Sequence, residues 1–139
     1  MKSIKAILAG TVFIVIVILF LQLLYIFVAV AYNAMADDFP VLNDIAPSFR
    51  YLIGIPVFIS VMFIGGYITA SIAGEETTLN VVLHCLVVGL ITAIGMIYPT
   101  LGNADITVTG MVIVVLALGA TVGGGLYRQK SIKAEVKKL

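Results

Sequence analysis

The chain has 139 residues, 62% of them hydrophobic and only 11% charged, with a mean hydropathy of +1.21. Soluble domains carry about 25% charged residues, and a water-soluble fold clothed by so few charges would expose large apolar patches. Lipid as the surrounding medium removes that conflict, and once the apolar stretches are set aside no soluble domain is left.

A helix crossing the ~30 Å hydrocarbon layer takes roughly 20 apolar residues. Four stretches meet this requirement, at about 4–32, 49–74, 79–98 and 107–127. They lack the period-2 alternation of barrel strands and are too long for them. The expectation is an all-α integral membrane four-helix bundle, a single membrane domain over residues 1–139.

The first segment opens with a short basic stretch, Met1–Lys5, and ends near Ala34-Met35-Ala36, which resembles a signal-peptide cleavage site. A signal peptide's apolar region spans roughly 7–15 residues; Ala6–Val30 is longer, so a retained helix is expected. At 1.5 Å per residue its uncharged stretch reaches ~40 Å, which requires tilt or projection beyond the bilayer. Nearly all Ile, Val, Leu and Phe, with Gly10 its only glycine, it reads as a peripheral helix facing lipid or a partner. Gln22 is its one amide inside the apolar run, and such a group seeks a hydrogen bond across a helix interface.

The following loop holds Asp37, Asp38, Asn43 and Asp44, whose spacing fits no EF-hand, so a solvated acidic loop is expected and no metal. Ser48, just after Pro47, is the expected N-cap of the second helix and Gly74 suits its C-terminal stop. Glu75 and Glu76 are favourable only ahead of the third helix, which Thr77, Thr78 or Asn80 can cap. His84, one turn inside that helix, is expected to bond a carbonyl or the Glu75–Glu76 hairpin. As a haem or metal ligand it lacks companions, and Cys85 beside it diverges on a helix, so no cofactor is expected. Cys85 is also the only cysteine, which leaves neither a disulfide nor a CxxC pair. Pro99 ends the third helix, and Asp105 or Thr107 begins the fourth.

Helices in lipid gain little from burying apolar surface on one another and associate through small residues instead. Gly66, Ala70 and Gly74 recur at spacings of four on the second helix, Gly89 and Ala93 on the third, and Gly119 and Gly123 on the fourth. Ala120 and Gly124 occupy the adjacent ridge. These are the expected packing or partner-contact positions, within the bundle, between copies, or along a pore. Ser60, Thr69, Ser71, Thr92 and Thr121 can bond their own helix backbone. Gly65-Gly66 and Gly123-Gly124-Gly125 fall at comparable depths, as two hairpins of one orientation would place them.

The tail Arg128–Leu139 sets Ile132, Val136 and Leu139 at helical spacing among Lys130, Lys133, Lys137 and Lys138. This pattern suits a basic amphipathic helix on an anionic leaflet, with Gly123–Gly125 permitting a bend before it. Arg128 and the four lysines are its expected headgroup contacts. Seven of the eight Lys/Arg residues sit at the two chain ends and only Arg50 between the spans. By the positive-inside rule both termini are cytoplasmic. No charge lies in the central part of any span, which argues against a proton-coupled transporter, and no basic surface is combined with aromatics for nucleic acid.

Gly65-Gly66-Tyr67-Ile68-Thr69-Ala70, then Gly74 and, past a polar turn, Leu83-His84 and Gly89, resemble small four-helix prokaryotic membrane proteins of unknown function. In those a glycine pair ends helix two and a leucine-histidine-glycine motif opens helix three; here Cys85 stands in place of that last glycine. The resemblance covers about a third of the chain and implies architecture in a prokaryotic inner membrane, without an activity. Small multidrug exporters need a glutamate embedded in helix one, which is missing here. The expectation is a non-enzymatic accessory or assembly subunit of a larger membrane complex, with lipid and other subunits or itself as partners. The alternative is a small homo-oligomeric channel or transporter lined by glycine and hydroxyl faces.

Overall fold

The computed structural model describes residues 2–35, 48, 52–74, 77–97 and 108–136. They form four helices long and apolar enough to cross a membrane: α1 (Lys2–Met35), α2 (Gly54–Ala73), α3 (Thr78–Ile97) and α4 (Val108–Val136). No strand occurs among the described residues. The chain is an all-α, multi-pass four-helix bundle. Outside the described residues lie the acidic loop with Asp37, Asp38, Asn43 and Asp44, the pair Glu75 and Glu76, Pro99, Asp105, and Lys137 and Lys138; of Lys133 only the backbone is described.

The helices close a ring in which α2 and α4 share the most extensive contact, α1 packs on α2, and α3 packs on α4. The remaining edge, between α1 and α3, is thinner. Ile14, Val61, Met62, Val88 and Ala117 form the main interior cluster, and Ala70, Val81 and Cys85 a second one.

Three boundaries differ from the sequence expectation. α1 is longer than anticipated, 34 residues or about 50 Å, because nothing between Lys2 and Met35 interrupts a helix. α2 starts at Gly54, not near Phe49, with Ile53 rather than Ser48 at the N-cap and no side-chain cap bond there; Ser48 is itself helical. The physical reason is Pro56. Its ring lacks an N–H and is tolerated only in a first turn, so a helix begun five residues earlier would be broken there. Ser60 then donates to the Pro56 carbonyl at 2.8 Å.

The third difference is in α4, which runs without interruption through Gly123, Gly124 and Gly125 to Val136. The basic tail therefore continues the transmembrane helix up to Val136, with no break in the helix at the glycines. Those glycines are held in place: a Cβ on Gly124 would collide with the Phe63 carbonyl, and one on Gly125 with Cys85 Sγ. Gly74, by contrast, ends α2 with φ 59°, a left-handed conformation that favours glycine, and its N–H donates to the Ala70 carbonyl at 3.2 Å.

Candidate functional site

The densest contact in the molecule is a reciprocal one between α2 and α4. A Cβ built on Gly66 would lie 2.7 Å from the carbonyl carbon of Thr121, and one on Gly124 would lie 2.8 Å from that of Phe63. Each glycine thus faces the carbonyl of the residue three positions before the other glycine. Two backbones approach this closely only where neither carries a side chain, and Cα–H···O contacts accompany such packing. Phe63 and Tyr127 seal the same seam, ring centroids 5.8 Å apart. The matched depths of the two glycine clusters have their physical expression here.

The other packing residues divide clearly. Ala70 and Ala93 are buried. Gly89 faces Thr121 Oγ1, where a Cβ would come to 2.7 Å, and Gly65 faces Ile14, where it would come to 2.5 Å. Gly123 has ordinary room beside Phe63. Gly119 is exposed, with open space where its Cβ would be, and exposed Gly74 is likewise unpacked. Within the chain, then, the close approach on α4 runs along Gly124 and Gly125, one ridge away from the Gly119–Gly123 pair.

The hydroxyls behave as their spacing suggests. Thr69, Thr92 and Thr121 donate to the carbonyls of Gly65, Val88 and Ala117 at 2.9, 2.8 and 3.0 Å. His84 Nδ1, as donor, lies 2.6 Å from the Asn80 carbonyl oxygen. Cys85 is fully buried, its thiol 3.6 Å from the Gly66 carbonyl. A thiol-reactive fluorophore is accordingly expected to leave Cys85 untouched in the folded protein and to label it fully after denaturation. Rapid labelling of the native form would contradict this packing.

Two features lie outside the packed seam. The first is α1. Its buried residues, Ala6, Gly10 and Ile14, form one stripe in its first half, and from Val15 onward none is buried. Of its most apolar window only 6% is buried, against 22–33% in the other three helices. Gln22 is exposed and its amide bonds to no described residue. It borders a lateral groove of about 440 Å³ between α1 and α3, shared with Thr11, Ile18, Ile91, Thr92 and Gly95. Thr11 Oγ1, shielded in that wall, also has no hydrogen-bond partner among the described residues.

The second feature is Arg128. Its Nε donates to Ser71 Oγ at 3.1 Å, and its Cζ stands 5.5 Å from the centroid of the Tyr67 ring. Sequence reasoning placed Arg128 among the tail's headgroup contacts but missed that α2 holds it. The signal was present, since Tyr67 and Ser71 are four apart and share a helix face. Lys130 is exposed. Among the described residues no three His, Cys, Asp or Glu side chains gather as a metal site would need. No known protein family, curated protein or solved structure matches the chain.

Proposed function

We propose that this protein is a non-enzymatic accessory or assembly subunit of a larger complex in a prokaryotic cytoplasmic membrane, docking through α1. The carrying observation is the contrast between α1 and the rest: a helix of 34 residues whose apolar span is barely covered by its own bundle. Lipid could cover that surface, but lipid tails offer nothing to Gln22. An amide without a partner inside hydrocarbon is costly, and a helix from another subunit can satisfy it. Both termini face the cytoplasm in this reading, following the excess of Lys and Arg at the chain ends. The prokaryotic setting rests on the likeness of the Gly65–Gly74 and Leu83–Gly89 stretches to small four-helix membrane proteins.

The channel alternative would need glycine and hydroxyl faces free to line a pore. Gly66, Gly89, Gly124 and the Thr69 and Thr121 hydroxyls are instead taken up by contacts inside the chain, which favours the first reading. Purification in mild detergent after crosslinking distinguishes the two. A defined heteromeric partner should accompany the wild-type protein, and its recovery should fall several-fold in Gln22→Leu, since one interhelical hydrogen bond in lipid is worth about 1 kcal/mol. A protein that always migrates alone would overturn the proposal. Reconstituted flux abolished by Gly119→Leu would favour the channel.

A further inference from the structure

Arg128 lies at the end of the bundle where α1 begins, α2 ends and α3 begins. It falls four residues before the end of the apolar stretch Gly110–Ile132, close enough to that end for a long cationic side chain to reach a headgroup layer. Its guanidinium is not a loose snorkelling cation. The Ser71 hydroxyl donates to the Tyr67 carbonyl at 2.8 Å, which leaves its oxygen turned to accept from Arg128 Nε at 3.1 Å. The Tyr67 ring supports the cation at 5.5 Å. The Ser71 hydroxyl and the Tyr67 ring, both on α2, therefore hold the guanidinium of α4 in position.

Nε is engaged, but neither terminal nitrogen donates to any described residue. A planar fork whose two prongs have no partner among the described residues has the donor geometry that matches two oxygens of one phosphate, and part of the rotamer freedom normally lost on binding is already removed. Ser71 is exposed and Tyr67 and Arg128 are half-buried, so the site is accessible from outside the bundle. Lys130 is exposed but stands two residues away on the helix and points off to another side, so it adds to the field without becoming a second ligand.

We infer that Arg128, oriented by Ser71 and Tyr67, is a phosphate-binding site that holds the headgroup of an anionic phospholipid at the basic end of the bundle. This does not depend on α1 having a protein partner. The same chemistry would serve free phosphate.

Native mass spectrometry of the full chain, titrated with phosphatidylglycerol or phosphatidylcholine, tests the inference. Wild type should retain one phosphatidylglycerol in preference to phosphatidylcholine. Arg128→Lys, which keeps the charge and stem but loses the fork, should weaken retention about tenfold, and Ser71→Ala about threefold. Lipid that resists millimolar inorganic phosphate assigns the site to the headgroup, whereas displacement assigns it to free phosphate. Equal phosphatidylglycerol retention in wild type and Arg128→Lys overturns the inference.

Discussion

Replacing Gly66 by leucine should unfold the bundle in mild detergent, while the same replacement at Gly119 should leave the thermal midpoint where it was. The two glycines look alike in the sequence, each heading a small residue four positions on. Their surroundings differ completely. A Cβ at Gly66 would fall against the backbone of Thr121, with its Cα 2.9 Å away, and backbone cannot rotate aside as a side chain can. At Gly119 nothing stands within reach. Overpacking a well-filled site costs about 1–3 kcal/mol, and more where the obstacle is main chain, against a total stability of about 5–15 kcal/mol. A loss of about 3 kcal/mol or more is expected for Gly66→Leu. Thermal unfolding followed through the exposure of Cys85 reads both variants in one assay. Equal midpoints would mean that α2 and α4 do not meet where described.

Gly10→Ala is the second large effect, and it carries its own control. The added Cβ would run into Thr69 Oγ1, with the Gly65 carbonyl oxygen at 3.1 Å behind it. Destabilisation by about 2 kcal/mol is expected, concentrated on the attachment of α1 to α2. Thr69→Ala alone should cost little, because the hydroxyl bonds only to its own helix, at the Gly65 carbonyl. The double variant Gly10→Ala, Thr69→Ala should recover most of the loss, giving a coupling of about 1–2 kcal/mol. Additive effects of the two changes would place Gly10 away from Thr69.

The four spans and the ends of α3 were legible because apolar length is a property of the segment itself, independent of neighbours. The facing of each helix was not. In water an apolar stripe marks the buried side, but in a bilayer the outside is apolar too, so Leu, Ile and Val carry no direction. That is why Gly119 and Gly124 could not be ranked from spacing alone, whereas the stop at Gly74, a local backbone property, was legible. The start of α2 was misread because Ser48 offered a cap while Pro56, eight residues later, had the stronger claim. Arg128 was read as one basic residue among five; its special position depends on α2, a segment more than fifty residues earlier, which no local pattern could reveal.

The tightest seam joins the second and fourth helices, which are separated in the chain by the whole of the third. During synthesis the opening hairpin therefore enters the bilayer with its glycine surface uncovered and waits for the last segment to arrive. A nascent chain arrested before Val108 would hold Gly66 bare to lipid or to whatever assists insertion. The arrival of α4, not the pairing of neighbouring segments, is the event that locks the molecule.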